Sequence, residues 1–152
     1  MTKSEERLKA LAGLFPATAP LFAVGGFVRD RLLNLPCHDL DICSQLDVYT
    51  VKTLLKTSDF VVQDRNLRMG TVIITAKNFS AEYTTFRTDS YLEGSGKHSP
   101  EEVKFTSNML LDSLRRDFKC NAVYLNVLSG EFVDLLGGIG DIKNGIISAV
   151  DS

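Results

Sequence analysis

The sequence predicts an α+β protein with a mixed, largely antiparallel sheet flanked by helices. Short apolar segments alternate with helical patterns, glycine or proline separates many of them, and two pairs of apolar segments are joined by tight turns. Tight turns join antiparallel neighbours, and the intervening helices cover the sheet. The 152 residues fit one ordinary domain. We expect an N-terminal helix within residues 1–20 and a single domain over residues 21–152.

The first elements are a helix, a strand and a second helix. Thr2 and Glu5 form a capping-box pattern before a helix near Ser4–Phe15. The apolar run Leu21–Val24 predicts a strand that ends at a pair of glycines. The segment Phe27–Leu33 then has a helical pattern.

A short strand and a third helix follow. Alternation over residues 39–43 predicts a strand on which Asp39 and Asp41 share one face while Leu40 faces the core. Asp47 is a suitable cap for a helix over Val48–Lys56.

The middle of the chain predicts strands and a loop. Strands are expected near Phe60–Gln63, Gly70–Ala76 and Ala81–Phe86, the last two forming a hairpin around Lys77-Asn78. The polar, glycine-containing segment Thr88–Pro100 predicts a mobile loop.

The C-terminal part repeats these patterns. A brief strand at Val103–Phe105 precedes a helix that starts at Ser107 or Asn108 and runs to about Arg116. The remaining expected elements are a hairpin of Val123–Asn126 with Glu131–Asp134, a helical turn after Gly137-Gly138, and a strand at Ile146–Val150.

Composition excludes several classes of protein. The formal net charge of −2 does not fit a strongly basic nucleic-acid clamp, so any RNA affinity must be local. Three cysteines and two histidines lack the spacing of a zinc site and fit reduced thiols in the cytoplasm. No apolar run approaches the roughly 18 residues of a membrane helix, and the polar, acidic N-terminus does not resemble a secretory signal.

The acidic pair Asp39 and Asp41 is the first candidate site. Residues two apart on a strand project from one face, roughly 6.5 Å apart. Mg²⁺ prefers carboxylate and phosphate oxygens, so such a pair can bind it. The alternative is two solvated acids on an edge strand. If the strand that carries Glu82 is a neighbour, Glu82 can complete a three-carboxylate cluster.

Glycines and arginines form the other candidates. Gly25 and Gly26 allow close approach of an anion to the backbone, and Arg29 lies one turn further on, although a plain tight turn with a surface arginine is the alternative. Arg115-Arg116-Asp117-Phe118 offers bidentate phosphate donors. Alternatively, it is a helix-end cluster in which Asp112 pairs with one of the arginines. Arg87 is either a phosphate contact or a surface charge.

These segments together resemble one family. Leu21–Asp30 followed by His38–Ile42 is similar to the first signature of the class II CCA-adding tRNA nucleotidyltransferases and bacterial poly(A) polymerases, of the polymerase-beta-type superfamily. Glu82–Arg87 resembles the strand that follows this signature. The ribose-recognition motif is represented by Arg115–Phe118 with Asn121-Ala122. Asp134, Gly137-Gly138 and Asp141 resemble the closing segment, whereas Lys119-Cys120 departs from the family pattern.

The resemblance implies a polymerase-beta-like fold and a set of roles. Asp39 and Asp41 would hold two catalytic Mg²⁺ ions, with Glu82 as third acid. Nucleotide contacts are implied for Gly25, Gly26, Arg29, Arg87, Arg116 and Asp117, with Asp117 favouring ribose. Asp30 and Asn121 would brace these groups.

The implied reaction is attack of an RNA 3′-hydroxyl on the α-phosphate of ATP or CTP, which releases pyrophosphate. We expect a metal-dependent RNA nucleotidyltransferase acting on tRNA in CCA addition. The alternatives are a poly(A) polymerase head and a stand-alone nucleotide-binding module. The family's neck, body and tail are expected to be absent, so a partner chain or further C-terminal domains would anchor the RNA.

Overall fold

The computed structural model describes residues 2–37, 39–90 and 102–150. Its strands are β1 (Phe22–Val24), β2 (Asp41–Ser44), β3 (Val61–Asn66), β4 (Thr71–Ala76), β5 (Phe79–Thr85), β6 (Arg87–Ser90), β7 (Glu102–Phe105), β8 (Val123–Asn126) and β9 (Phe132–Asp134). Its helices are α1 (Lys3–Gly13), α2 (Gly26–Leu32), α3 (Val48–Leu55), α4 (Met109–Leu114) and α5 (Gly138–Asn144), with 3₁₀ turns at Leu67–Met69 and Lys119–Asn121.

The described strands form one large sheet and one small ribbon. The large sheet has seven strands in the order β3-β4-β5-β2-β1-β8-β9, and β6 pairs with β7 in the ribbon. Every pair is antiparallel except β2 with β5, which is parallel. The predicted mixed, largely antiparallel sheet with helices is confirmed.

The two faces of the sheet bury different clusters. Along β5, buried residues such as Ala81 and Tyr83 alternate with exposed Ser80 and Glu82. The main core lies on the Tyr83 face, where side chains of α1 and α3 pack with the central strands. The second core lies on the other face and comprises Phe22, Val24, Cys43, Phe86 and Tyr124. This core lies on the same face of the sheet as Asp41, because Asp41 and Cys43 are two residues apart on β2 and therefore project from one face.

Local sequence signals placed most elements correctly. The Thr2 hydroxyl accepts a hydrogen bond from the Glu5 amide, and the Asp47 carboxylate caps α3 through the Thr50 amide. Ala76 pairs with Phe79 across the predicted two-residue turn. The second predicted hairpin is confirmed by the antiparallel pairing of β8 and β9.

Other expectations were wrong. Residues 88–90, where the loop Thr88–Pro100 was expected to begin, belong to β6 because they pair with β7. Residues 91–100 lie outside the described part of the chain. Ile146–Val150 does not form a strand. Only an isolated bridge joins Ala149 to Phe118, since no neighbouring strand extends alongside it. The helix that was expected to reach Arg116 ends at Leu114.

Asp39 also lies outside its predicted strand, which begins at Asp41.

The N-terminal helix packs into the main core through Leu8, Leu11 and Ala12. In the described residues, no helix has the length and apolar character that a membrane crossing requires.

Candidate functional site

Asp41 and Glu82 are brought together by the parallel strand pair. In the register of β2 and β5, Asp41 lies opposite Glu82, and the Glu82 amide donates to the Leu40 carbonyl at 3.0 Å. Side chains at paired positions of neighbouring strands project from the same face. The expected adjacency of the two strands is therefore confirmed, and both carboxylates lie on the face of the sheet opposite the main core.

Asp39 is not held in the same way. It is exposed, and it precedes β2, so strand pairing does not orient its side chain. In residues 2–37, 39–90 and 102–150, no three acidic, histidine or cysteine side chains are grouped closely enough to hold one ion. Asp39, Asp41 and Glu82 therefore do not converge on a single point in this structure. The three acids instead line one open pocket with Leu40, Ile73, Ser80 and Ala81, here called the acidic pocket.

Gly25 brings the backbone next to Asp41. Its φ of +76° lies in the range that favours glycine, and a Cβ there would lie 3.2 Å from an Asp41 carboxylate oxygen. The turn between β1 and α2 thus favours glycine for its backbone conformation, and a Cβ there would also require the Asp41 carboxylate to shift slightly. It places two backbone units at the border of a second pocket.

This second pocket, the arginine pocket, has a volume of about 320 Å³. Its lining consists of Gly25, Gly26, Asp41, Arg87, Asp89, Arg115, Arg116, Asp117 and Asn121. Asp41 lines both pockets, so the acids and the arginines meet at this residue.

Arg115 and Arg116 are anchored to one buried carboxylate. Arg115 Nε donates to Asp112 Oδ1 at 3.1 Å, and Arg116 Nη2 donates to Asp112 Oδ2 at 3.0 Å. The pairing that the sequence offered as an alternative therefore exists for both arginines. It does not compete with a role in the pocket, because both arginines also line it.

Arg87 is not a surface charge. It is buried, and its guanidinium donates twice to the Asp89 carboxylate, at 2.9 and 3.2 Å, and once to the Met69 carbonyl at 2.8 Å. The bond to Met69 connects the β6–β7 ribbon to the 3₁₀ turn that precedes β4. Arg87 reaches the pocket as part of an ion pair.

Arg29 lies beside the arginine pocket rather than in its lining. Its guanidinium donates to Asp30 at 3.1 Å and to the Asn121 side chain at 3.1 Å, and it lies over Gly26. Asn121 in turn donates to Asp117 Oδ1 at 3.4 Å. This chain of bonds connects α2 to the turn that carries Asp117, so Asp30 and Asn121 are placed where they can brace the site.

Burial and the neighbouring acids disfavour the ionised form of Asp41. Burial raises the pKa of the Asp41 carboxyl most, the Glu82 and Asp39 carboxylates raise it further, and the Arg116 and Arg115 guanidiniums oppose them. Crowded carboxylates repel, and a bound cation relieves that repulsion. The donor chemistry therefore fits a hard divalent cation at Asp41.

Asp112 has the opposite behaviour. Burial by itself raises its pKa, but the Arg116 and Arg115 guanidiniums and the hydrogen bonds from Tyr124 and the Arg87 amide outweigh burial. The pKa of the carboxyl is lowered as a result. Ionised Asp112 therefore stabilises the fold above the ordinary aspartate pKa of 3.8, and this stabilisation disappears as pH falls through the lower folded-state pKa.

We expect Asp112→Asn to lower the free energy of unfolding most near neutral pH, with a difference from the wild type that shrinks below pH 3.8. Urea unfolding followed by circular dichroism across this pH range measures the difference. Asp59→Asn is the control, because that side chain is 87% exposed. A difference that stays constant with pH would contradict the assigned charge of Asp112.

The structure thus gathers most of the predicted residues and adds others. The additions are Asp89 in the lining and Asp112 with Tyr124 beneath it, and the candidate Arg115 joins the lining. Helical spacing in the sequence already pointed to Asp112. The contribution of Tyr124 depends on β8 lying beside β1, which no local pattern indicates.

Comparisons with known proteins agree with this architecture. The chain is 38% identical over 146 residues to a CCA-adding enzyme of Lactobacillus delbrueckii subsp. bulgaricus, covering 95% of this chain and 35% of that protein. It is 39% identical over 129 residues to a CCA-adding enzyme of Enterococcus faecalis, covering 85% of this chain and 30% of that protein. The chain therefore spans about a third of the length of these curated relatives.

A solved structure and a family model point the same way. The crystal structure of the Bacillus stearothermophilus CCA-adding enzyme in complex with CTP matches with a TM-score of 0.80 and 29% identity, over 99% of this chain and 34% of that one. The model of the poly A polymerase head domain matches residues 21–148. This match covers most of the chain, which therefore belongs to the poly A polymerase head domain family.

Proposed function

We propose that this chain is the catalytic head of a template-independent RNA nucleotidyltransferase. It adds nucleotides from CTP or ATP to an RNA 3′ end, with CCA addition to tRNA as the favoured reaction. One observation carries the proposal: Asp41 lies at the border of an acidic pocket and an arginine pocket. A reaction that joins an incoming nucleoside triphosphate to a hydroxyl needs both environments side by side.

Charge supports a requirement for metal. Among the described residues that line the arginine pocket, three are arginines and three are aspartates. Their formal charges therefore cancel before a triphosphate binds. The acidic pocket adds Asp39 and Glu82. A triphosphate therefore needs additional positive charge at this point.

We infer that Asp39 and Asp41 hold Mg²⁺, with Glu82 as a third acid and two ions as the expected number. When bound, the ions neutralise phosphate charge and activate the attacking hydroxyl. The supporting observation is the donor set itself: Asp41 and Glu82 are paired on neighbouring strands, and Asp39 opens onto the same pocket.

The protein's own residues bind and align the substrate. Arg115 and Arg116 offer planar donors to phosphate or ribose oxygens, and the Gly25-Gly26 turn lets a phosphate approach the backbone. We infer that Arg29 contacts phosphate from the side of the pocket; its hydrogen bond to Asn121 and its position next to Gly26 support this role. Alignment and charge neutralisation are sufficient, so no covalent intermediate is required.

The whole-protein context is part of the proposal. The head domain comprises residues 21–152, with a preceding helix within residues 1–20, and RNA anchoring is supplied by further domains or a partner chain. Poly(A) addition is the alternative reaction, because the family model that matches the chain is that of the poly A polymerase head domain. Free thiols at Cys37, Cys43 and Cys120 support a reducing, cytoplasmic location.

The test is incorporation of labelled CTP and ATP into a tRNA that lacks its 3′ CCA, with and without Mg²⁺. Metal-dependent extension supports the proposal, and extension by ATP alone favours poly(A) addition. Binding of Mg²⁺-nucleotide without extension would support the stand-alone binding module. If the chain neither binds nor extends, the proposal is wrong.

Asp117 is proposed to favour ribose over deoxyribose. Its carboxylate borders the arginine pocket and is oriented by hydrogen bonds from the Phe118 amide at 2.8 Å and from Asn121 at 3.4 Å. We expect Asp117→Ala to reduce the preference for CTP over dCTP about tenfold, the value of a hydrogen bond to a charged group. Competition binding of the two nucleotides measures the ratio.

The matched control is Asp64→Ala, which removes an exposed aspartate that pairs with Lys52 on the edge strand β3. This control should keep the wild-type ratio. An unchanged ratio in Asp117→Ala would exclude the ribose role.

A further inference from the structure

We propose that Asp112 is a positioning residue that sets nucleotide affinity by holding Arg115 and Arg116 in the arginine pocket, and that the Tyr124 hydroxyl locks this arrangement. The inference rests on the proposed function, since it concerns how the same pocket binds a nucleoside triphosphate. Asp112 is expected to act through the arginines, without touching the nucleotide.

The contacts of Asp112 carry the proposal. Its side chain is fully buried, and each oxygen accepts two hydrogen bonds. Oδ1 accepts from Arg115 Nε and from the Arg87 amide, at 3.1 and 3.0 Å. Oδ2 accepts from Arg116 Nη2 at 3.0 Å and from the Tyr124 hydroxyl at 2.5 Å. One carboxylate therefore joins three of the residues that line the pocket.

A carboxylate in this position needs a functional explanation. Burial of a charge is costly unless it is paired, and such pairs often add little net stability compared with apolar residues. Buried ion pairs do, however, fix the positions of the side chains that form them. Arg115 and Arg116 lie just past the end of α4, a helix of six residues, where the backbone alone orients long side chains poorly.

The arginines keep donors for a ligand. Among contacts between described residues, Asp112 and Tyr124 occupy one N–H of Arg115 and two of Arg116. A guanidinium has five N–H donors in a rigid fork.

Tyr124 connects this anchor to the second core. Its ring is fully buried and packs edge-on against Phe22 and Phe86, with both ring centroids 6.2 Å away. The Arg116 guanidinium lies over the same ring, 5.4 Å from its centroid. Packing in the second core therefore fixes the position of the Tyr124 hydroxyl. The hydroxyl in turn fixes the Asp112 carboxylate, and the carboxylate fixes the guanidinium groups of the two arginines.

A pair of matched tyrosine variants tests the proposal. Tyr124→Phe removes the hydroxyl beside Asp112. Tyr83→Phe removes an equally buried hydroxyl that bonds to Ser44 and to the Leu46 carbonyl in the main core. Both changes should cost similar stability, which urea unfolding measures. Only Tyr124→Phe should weaken Mg²⁺-CTP binding, by about threefold or more, at fixed ionic strength.

Asp112→Asn extends the test and should raise the dissociation constant for Mg²⁺-CTP about tenfold or more, because the two arginines lose a shared anchor. Combination with Arg116→Ala then separates positioning from general damage. If Asp112 acts through the arginines, Asp112→Asn should change the affinity much less in the Arg116→Ala background. A double-mutant cycle that combines Tyr83→Phe with Arg116→Ala should show no coupling in the affinity for Mg²⁺-CTP.

The outcomes are distinguishable from those of the proposed function. If the wild type binds Mg²⁺-CTP but Tyr124→Phe behaves like Tyr83→Phe, the inference is overturned and the proposed function stands. Additive effects of Asp112→Asn and Arg116→Ala also overturn it. If Asp112→Asn does not fold, the comparison of Mg²⁺-CTP binding between Tyr124→Phe and Tyr83→Phe decides whether the inference holds. A wild-type chain that binds no nucleotide overturns both.

Discussion

Replacement of Asp41 by alanine is expected to lower Mg²⁺-dependent nucleotide addition by roughly a thousandfold or more, since the loss of several kcal/mol of charge stabilisation corresponds to such a factor. Asp41 borders both pockets, so the variant removes the residue at which the acidic pocket and the arginine pocket meet. The measurement is the rate of labelled CTP incorporation, together with the affinity for Mg²⁺-CTP.

The same variant should fold at least as well as the wild type. The raised pKa of Asp41 means that the folded state disfavours its charge, so ionised Asp41 weakens the fold at pH values above that pKa. Removal of the carboxylate relieves the repulsion from Glu82 and Asp39. The melting temperature in the absence of metal should therefore be unchanged or slightly higher.

Asp59→Ala is the control, because Asp59 is an exposed aspartate that faces Arg7 at 3.8 Å, away from both pockets. It should leave incorporation and Mg²⁺-CTP affinity unchanged. Activity in Asp41→Ala close to that of the control would show that Asp41 is not a catalytic residue. A large fall in melting temperature would contradict the electrostatic explanation.

Replacement of Gly138 by alanine is expected to destabilise the protein by about 3 kcal/mol, near the upper end for overpacking. Gly138 is buried at the start of α5. A Cβ at this position would lie 2.1 Å from the Lys119 carbonyl oxygen and 2.8 Å from a Val123 methyl group. The first obstacle is backbone, so it cannot move aside as the end of a flexible side chain would.

The same helix supplies the control. Gly140 lies two residues further on, and a Cβ there would have no neighbour within 4 Å. Gly140→Ala should therefore stabilise the protein by about 0.5–1 kcal/mol, the helix preference for alanine over glycine. Urea unfolding of the two variants tests the pair. Equal effects would mean that the contact between α5 and the Lys119–Asn121 turn is not tight.

This contact also concerns the site. The Lys119–Asn121 turn begins two residues after Asp117, and Asn121 links Arg29 to Asp117. A shift of the Lys119 carbonyl would displace this link. We therefore expect Gly138→Ala to weaken nucleotide binding as well, whereas Gly140→Ala should not.

Local signals were sufficient for most of the fold because they act over a few residues. The Thr2 and Asp47 caps and the Lys77-Asn78 turn depend on neighbours within the same turn. Predictions failed where a distant partner decides the structure. Residues 87–90 form a strand because β7 pairs with them. Ile146–Val150 does not, because its backbone pairing is limited to the short stretch from Asp117 to Lys119.

By itself, the sequence determined the class of fold, the family resemblance and the chemical types of the site: acids at Asp39 and Asp41, a glycine turn, and an arginine cluster. Tertiary structure decided how these groups meet. The parallel register places Glu82 beside Asp41, while Asp39 remains outside the strand. The approach of β8 and β6 to α4 gives Asp112 its contacts with Tyr124 and the Arg87 amide. Strand order and the burial of a charge depend on contacts between distant segments, and no local pattern encodes those contacts.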